Sequence, residues 1–372
     1  MTAPARWETG SSFPLILPAA DDDRSGPAEP WHRYGSGRQA LLALLTFGRD
    51  VLGWRTAHLP TYFCPPVAEA VATVLPVHRY PCGPGGGAAP SGLGRTDAVL
   101  AVSFFGERPV VPEGDPAVVV DATHDPLAPW LPDVGADYVV ASLRKTLPLP
   151  DGGALWSPAG RPLPAEPTLG NVHRAAAGDV LAAMCLKSAY LGGTDVDKQQ
   201  FLALYAEGEE ALTSTAVSAM SSYSAQVLPL LPVARHRRHR IENAHRLADR
   251  LTGLPGLTAR AHPFGVVLEL DSPGRREELR AGLIRRQVYP AVLWSLTEGQ
   301  APADQVDFSR RMLFLHTDAR YDGEDMRRTA EIVREQSAAR PALRPAPLPP
   351  PPFAAIPAAA GRPVSIGSGD QP

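Results

Sequence analysis

The sequence predicts an α/β protein with a mostly parallel central sheet and a smaller C-terminal α+β domain. The first observation is that short apolar, β-branched runs alternate with helical patterns over residues 37–145. The second is a helix-rich segment over 171–230, and the third is a shorter set of strand and helix signals over 265–335. Strands that alternate with helices in sequence form mostly parallel sheets with helices on their faces.

The large domain is predicted over residues 33–230, after an irregular lead-in over 1–32 that is rich in Pro and Asp. Its first helix begins at Gly37 and includes the apolar run 41–45. The strand and helix signals that follow alternate at 55–59, 67–75, 98–104, 118–121 and 138–141. The Gly- and Pro-rich segment 82–94 could bind phosphate, but it lacks the Gly-Lys-Ser/Thr ending of a phosphate loop, so a plain connection is favoured.

The small domain is predicted over residues 231–338, with strands at 265–270 and 312–316 and helices at 275–286 and 324–335. Its opening helix carries the run Arg235-His-Arg-Arg-His-Arg240. The run could bind nucleic acid, but it has no interleaved aromatic residues, so a solvated or dimer-facing helix is favoured. The Pro- and Ala-rich tail over 339–372 is predicted to be disordered, because it cannot bury enough apolar surface to offset the entropy of ordering.

Composition limits the classes of function. The 372 residues are 44% hydrophobic and 20% charged, and the net charge is −3, which argues against a general nucleic-acid binder. No apolar run approaches the ~20 residues of a membrane-spanning helix, and residues 1–12 lack the features of a signal peptide. Cys64, Cys82 and Cys185 show no metal-binding spacing and cannot all pair. We therefore predict a cytoplasmic protein with a small-molecule substrate, no metal site, and neither nucleic acid nor membrane as a partner.

Two polar segments follow apolar runs and carry the candidate chemistry. Asp121 ends the run Ala117-Val-Val-Val120, and Lys145 lies just beyond the run Tyr138-Val-Val-Ala141. Ligands of open α/β sheets bind at the carboxyl ends of strands. A lysine there can form a Schiff base with an aldehyde, and an aspartate can keep a pyridinium nitrogen protonated. The pair therefore indicates a pyridoxal 5′-phosphate (PLP) enzyme; taken singly, each residue would be interpreted as a partner in a salt bridge.

Several further segments carry a family resemblance, in this order: Glu8-Thr-Gly-Ser11, Tyr34-Gly-Ser-Gly-Arg-Gln-Ala-Leu41, Leu59-Pro-Thr-Tyr-Phe-Cys64, Asp121-Ala-Thr-His124, Ser142-Leu-Arg-Lys145 with Pro150-Asp-Gly-Gly153, and Arg310-Arg-Met-Leu-Phe-Leu-His316 with Asp318-Ala-Arg-Tyr-Asp322. Together they resemble a fold-type I PLP enzyme of the DegT-like sugar aminotransferase family. The resemblance covers most of residues 8–335, and the lysine loop is its most specific part. It implies the aminotransferase architecture and a homodimer with each active site near the subunit boundary.

The resemblance and the residue chemistry assign roles in the site. Lys145 is the Schiff-base lysine and proton shuttle, and Asp121 pairs with the pyridinium nitrogen. His124 stands where the sugar enzymes carry glutamine and could hydrogen-bond the phenolate oxygen of the cofactor. The alternative for His124 is a core histidine bound to backbone.

Other residues are candidates to hold the two remaining parts of the cofactor. The turn Ser36-Gly37-Arg38 opens a helix and could bind the phosphate, with a hydroxyl added by Ser142; a surface salt bridge is the alternative for Arg38. The resemblance makes Tyr62 and Phe63 the candidates to cover the ring, with Phe104 and Phe105 next. Ordinary core packing is the alternative for each.

The leading functional hypothesis is a PLP-dependent aminotransferase acting on a small intermediate of a specialised, secondary-metabolite or sugar, biosynthetic pathway. A second hypothesis is a PLP enzyme that decarboxylates, eliminates or forms carbon–carbon bonds, and a third is a non-enzymatic sensor or scaffold. Unlike the family pattern, the chain has Ser-x-x-Lys spacing and no clear Asn-x-Arg motif. These departures favour a compact amino- or keto-acid substrate over a sugar nucleotide, with Arg320 or Arg38 as the carboxylate partner. For Arg320, a salt bridge with Asp318 or Asp322 is the favoured alternative.

Overall fold

A computed structural model describes residues 5–18, 31–214 and 216–338. The tail predicted over 339–372 lies outside the described residues, as does half of the lead-in predicted over 1–32. In chain order, the strands of the first half are β1 (His32–Tyr34), β2 (Thr56–Pro60), β3 (Val77–Tyr80), β4 (Cys82–Gly83), β5 (Gly86–Gly87), β6 (Asp97–Val102), β7 (Ala117–Asp121), β8 (Tyr138–Ser142) and β9 (Gly153–Trp156).

Seven of these strands form one sheet in the order β1-β9-β8-β7-β6-β2-β3, and β4 and β5 form a separate two-stranded sheet. Strands β2, β3, β6, β7 and β8 are parallel to one another. Strand β9 is antiparallel to β8, and β1 is antiparallel to β9. The sheet is therefore mostly parallel, as predicted, with an antiparallel pair at one edge that the sequence analysis missed.

Two sets of helices and a three-stranded sheet complete the fold. The first helices are α1 (Gly37–Phe47), α2 (Pro65–Ala72), α3 (Asn171–Leu191), α4 (Lys198–Leu212) and α5 (Ser222–Val227). A three-stranded antiparallel sheet follows, with strands β10 (Leu257–Ala261), β11 (Gly265–Leu270) and β12 (Met312–His316). The helices of this second half are α6 (Val233–Leu251), α7 (Pro273–Arg285), α8 (Ala303–Arg311) and α9 (Gly323–Ala338).

Local sequence explains the elements nearest the site. Helix α1 begins where the side chain of Ser36 accepts a hydrogen bond from the backbone N–H of Gln39, a contact that satisfies a free donor of the first turn. Its leucines 41, 44 and 45 share a core with residues of the sheet, and Leu42 is also buried. In β7, Val118, Val119 and Val120 are all buried. A central strand covered on both faces requires this continuous apolar run.

An aromatic cluster joins the large sheet to the small one. Phe264 precedes β11, and its ring stacks on His124 with centroids 4.2 Å apart and on Phe314 of β12 at 4.7 Å. Trp294 contacts the ring of Tyr62 at 5.9 Å. Because these contacts unite residues of both predicted domains in one core, the boundary at 230/231 stays a prediction.

The fold class is confirmed: a mostly parallel seven-stranded sheet with helices, followed by an α+β unit. The helices predicted from Gly37 and over 275–286 and 324–335 are present within a few residues, as are the strands at 265–270 and 312–316. The segment 82–94 is a connection with one very short hairpin. Sequence analysis missed β1, β3, β9, β10 and α8, which are short or lack a clear apolar period.

The basic run on α6 differs from its expected solvated arrangement. Arg240 is 4% exposed, and both Arg237 and Arg240 form ion pairs with the fully buried Asp125, at 2.8 and 2.9 Å. Part of the run therefore faces inward and joins α6 to the loop after β7, because a buried carboxylate needs a cationic or hydrogen-bonding partner. Across the described ranges, no helix is long and apolar enough to cross a membrane.

Candidate active site

The candidate catalytic residues follow two neighbouring parallel strands. Asp121 is the last residue of β7 and lies opposite Val140 of β8. Lys145 ends a single helical turn, Leu143–Lys145, that begins where β8 stops. Both residues are therefore at the carboxyl-terminal edge of the sheet, where open α/β folds bind their ligands. The sheet brings together the pair that the sequence analysis singled out.

Asp121 is a carboxylate without a cationic partner in the part of the chain that the structure describes. Its Oδ1 accepts a hydrogen bond from the backbone N–H of Thr123 at 2.9 Å. Burial raises the pKa of Asp121, and the hydrogen bonds from Thr123 oppose that shift. An enclosed carboxylate of this kind is stabilised when a positive group binds beside it.

Lys145 is distinguished from the two other lysines of the chain. Lys187 and Lys198 both form ion pairs with Glu8, at 2.7 and 2.5 Å. Lys145 has neither an ion pair nor a hydrogen bond from its amine to any described residue, and part of the residue is open to solvent. Burial of the amine among surrounding protein atoms, and then the charge of Arg144, lower the pKa of Lys145. The neutral amine is the nucleophilic form.

Thr123 connects the two loops. Its Oγ1 accepts a hydrogen bond from the backbone N–H of Ser142 at 3.0 Å. The backbone N–H of Thr123 donates a hydrogen bond to Asp121. The neighbouring Arg144 forms a bidentate ion pair with Glu209 of α4, with one contact at 2.6 Å. These contacts fix the turn that carries Lys145 from both sides.

The first turn of α1 lies against the same edge. A Cβ atom placed on Gly37 would lie 2.8 Å from the backbone nitrogen of Ser142, so only glycine permits this approach. The predicted phosphate residues Ser36, Gly37 and Ser142 are thus adjacent, at a helix N-terminus that favours anions. Arg38 donates to the carbonyl of Thr213 at 2.7 Å. No described residue forms the surface salt bridge proposed as its alternative, and a contact of Arg38 with a cofactor phosphate stays a prediction.

His124 is buried and neutral. Its Nδ1 accepts a hydrogen bond from the backbone N–H of Phe105 at 3.0 Å, which leaves the proton of the neutral ring on Nε2. Burial, and then the charges of Lys145 and Arg240, lower the pKa of His124 to about 3. The backbone contact matches the core-histidine alternative. A backbone hydrogen bond with Ser103 opposes the lowering of this pKa, and the role of His124 towards a cofactor oxygen stays a prediction.

The predicted ring-covering residues pack in the aromatic cluster. Tyr62 is fully buried and donates its hydroxyl to the carbonyl of Leu293 at 2.5 Å. Its ring meets Phe104 edge-on at 5.8 Å, and the ring of Phe63 meets Trp294 at 5.9 Å. Core packing therefore accounts for both side chains, and their contact with a cofactor ring stays a prediction.

Arg320 is bound within the protein. Its guanidinium forms a bidentate ion pair with the buried Asp318, with Nε–Oδ1 at 2.6 Å. It also donates to the carbonyls of Gly10 and Ser12, each at 2.6 Å. The salt-bridge alternative is confirmed with Asp318. Four donor contacts leave little capacity for a substrate carboxylate, and the substrate role assigned to Arg320 stays a prediction.

Cys64 lies near the candidate site, although sequence analysis did not single it out. Cys64 precedes the first residue of α2, and burial raises the pKa of its thiol. The charges of Lys145 and Asp121 both act on that thiol, so it lies near the two candidate catalytic groups. Its position after Tyr62-Phe63 at a helix start was the only sequence signal. None of the three cysteines is in a disulfide.

The fold is similar to solved aminotransferases. The aminotransferase TlmJ from Streptoalloteichus hindustanus has a TM-score of 0.54 and 15% identity, with 89% of this chain and 99% of TlmJ covered. The sugar aminotransferase CalS13 from Micromonospora echinospora has a TM-score of 0.54 and 14% identity, with 87% and 99% covered. Spr1654 from Streptococcus pneumoniae, assigned as a sugar aminotransferase and solved in its PLP form, has a TM-score of 0.54 and 11% identity, with 89% and 99% covered.

These similarities establish the fold-type I aminotransferase architecture that the sequence motifs predicted. No protein-family model matches the chain. No curated protein matches it either.

Proposed function

We propose that this protein is a PLP-dependent aminotransferase. The observation that carries the proposal is the arrangement of Asp121 and Lys145. They follow adjacent parallel strands, and neither has a counter-ion among the described residues. The structures of similar fold add support, since Spr1654 is described in a PLP form and a pyridoxamine phosphate form.

The residues present fit PLP at each of its polar groups. Asp121 would hold the ring nitrogen, and the Lys145 amine would bond to the aldehyde carbon. The backbone N–H groups of the first turn of α1, with Ser36 and Ser142, would hold the phosphate. The Nε2–H of His124 would donate to the phenolate oxygen. The enclosed, unpaired carboxylate of Asp121 is the strongest sign of fit, because its raised pKa falls when a cation binds beside it.

The chemistry then divides between cofactor and protein. Bound PLP supplies an electron sink for the carbon that carries the amino group. Asp121 keeps the ring nitrogen protonated, since a carboxylate in a water-poor site interacts strongly with a cation. Lys145 holds and returns a proton at its Nζ, and its lowered pKa keeps more of the amine neutral near pH 7.

For the substrate we favour a keto sugar over a small keto acid. An acid substrate would need a carboxylate partner, for which Arg38 and Arg320 were the candidates. Arg38 donates to Thr213, and Arg320 is held by Asp318 and two carbonyls. CalS13, of similar fold, is described as a sugar aminotransferase. We therefore revise the substrate expectation towards a sugar intermediate of a specialised pathway.

The test combines labelling with half-reactions. Purified full-length protein is incubated with PLP, reduced with borohydride and digested, and we expect a pyridoxyl group on Lys145 alone. L-Glutamate should then convert bound PLP into pyridoxamine phosphate. A pyridoxyl group on Lys187 or Lys198, or no conversion with any amino donor, contradicts the proposal. A nucleotide-activated keto sugar and small keto acids, compared as amino acceptors, decide the substrate class.

A further inference from the structure

Asp151 lies six positions after Lys145, in the loop that returns to β9, and is fully buried. Its carboxylate accepts hydrogen bonds from His173 Nε2 at 2.9 Å, from the backbone N–H of Ser221 at 2.7 Å and from the hydroxyl of Ser221 at 2.6 Å. The hydroxyl of Ser224 is a fourth donor. A carboxylate satisfied this completely fixes the backbone that carries it.

These four bonds join the lysine loop to two other elements. His173 belongs to the first turn of α3, and Ser221 and Ser224 belong to the start of α5. The loop from Lys145 to Asp151 is therefore bounded by β8 at one end and by a buried anchor at the other. The proposed catalytic residues do not include any member of this anchor.

The same anchor is connected to the first turn of α1. The backbone N–H of Gly152 donates to the carbonyl of Gly35 at 2.8 Å, and the N–H of Leu143 donates to the carbonyl of Gly152 at 3.0 Å. A Cβ atom on Gly153 would lie 2.2 Å from the carbonyl oxygen of Ser36. Asp151 thus lies between the turn that carries Lys145 and the helix N-terminus at Ser36.

We propose that Asp151 is a positioning residue that sets the spacing between Lys145 and the anion-binding turn Ser36–Gly37. The inference rests on the proposed function, in which these two places hold the aldehyde and phosphate ends of one cofactor. A rigid molecule that is bound at both ends gains affinity only when the two binding sites are correctly spaced. Loss of the Asp151 anchor should therefore lower the affinity for PLP more than the affinity for ligands that contact only one of the two places.

The test compares Asp151→Asn with Asp97→Asn in full-length protein. Asp97 makes the matched control, because it accepts a hydrogen bond from His58 Nε2 at the same 2.9 Å. It begins β6, at the opposite end of the sheet from the site. The readouts are the dissociation constants of PLP, pyridoxal and pyridoxamine phosphate, and the fraction of Lys145 labelled after borohydride.

We expect Asp151→Asn to weaken the binding of PLP by about 10-fold, which corresponds to about 1.4 kcal/mol. The dissociation constants of the other two ligands should change much less, because pyridoxal lacks the phosphate and pyridoxamine phosphate lacks the aldehyde. Asp97→Asn should bind all three as the unchanged protein does. Equal PLP affinity and Lys145 labelling in both variants would overturn the inference, as would an equal loss for all three ligands.

If Asp151→Asn does not fold, Ser224→Ala removes one hydrogen bond from the same carboxylate and should show a smaller loss of the same selectivity. A Ser224→Ala variant without this selective loss of PLP affinity would also overturn the inference. Failure of the proposed function is a different result, because the unchanged protein itself would then carry no pyridoxyl group on Lys145.

Discussion

Thr123 Oγ1 accepts a hydrogen bond from the backbone N–H of Ser142 at 3.0 Å, and this contact joins the loop after Asp121 to the end of β8, three residues before Lys145. The two catalytic candidates are thereby tied to each other through hydrogen bonds as well as through the sheet. The relationship is local in space, yet it connects residues 19 positions apart.

Thr123→Val tests this connection. Valine keeps the shape of threonine but leaves the N–H of Ser142 without an acceptor, which should lower the free energy of unfolding by about 1–3 kcal/mol. The loss of the hydroxyl should also raise the pKa of Asp121 further, since that hydroxyl opposes the effect of burial. Denaturant unfolding measures the first effect. Thr123→Ser keeps the hydroxyl and serves as the control; a loss of the same size there would contradict this interpretation.

Asp121→Asn should leave the fold intact and remove most of the activity. A neutral amide cannot balance a positive ring nitrogen, and loss of one preorganised charged contact raises the barrier by about 2–4 kcal/mol. Steady-state turnover measures the effect, with circular dichroism to verify folding. Undiminished turnover would exclude Asp121 from the proposed role.

Lys145 should react with aldehydes at lower pH than an ordinary lysine. Its pKa is lowered from 10.5 by burial, so between the lowered value and 10.5 the folded protein releases a proton that the unfolded chain retains. In that window stability rises with pH, and the neutral amine is already present. Reductive alkylation of cofactor-free protein followed by peptide mass spectrometry measures the rate at each pH. Lys198, whose pKa is raised by its contacts with Glu8 and Tyr289, is the internal control and should require higher pH. The same pH profile at both lysines would count against the prediction.

Arg320→Met should destabilise the protein by about 3–5 kcal/mol, because it leaves the buried carboxylate of Asp318 unpaired. Arg310→Met is the matched control, since Arg310 and Glu298 form an exposed pair at 3.2 Å, typically worth less than 1 kcal/mol. Denaturant unfolding of both variants measures the difference. Unchanged stability together with a raised KM for a keto acid would instead favour the substrate role of Arg320.

We expect a homodimer with each active site near the subunit boundary, as the resemblance implies. The segment 171–230 contributes exposed apolar side chains at Val172, Val217 and Leu230, which a partner could cover. Light scattering over a range of concentrations measures the state. A monomer with full activity at low concentration would contradict the expectation.

The sequence by itself determined the alternation of strands and helices, and with it the mostly parallel sheet. It also singled out Asp121 and Lys145, because Asp121 ends one continuous apolar run and Lys145 lies four residues beyond another, and such runs indicate buried strands. These inferences succeed because they depend on residues close together in the chain, where period and hydrophobicity decide the local structure.

Tertiary structure alone decided which polar groups are already satisfied. Arg320 is held by the carbonyl of Gly10, 310 positions away, and Asp151 by Ser221 and Ser224, 70 and 73 positions away. Arg237 and Arg240 turn inward because Asp125 is buried opposite them. A buried charge needs a partner, which can come from any segment that folding places beside it. No local sequence pattern identifies that segment. The partners of the candidate site residues therefore followed from the packing of distant segments, whereas the candidate catalytic pair followed from the ends of two strands.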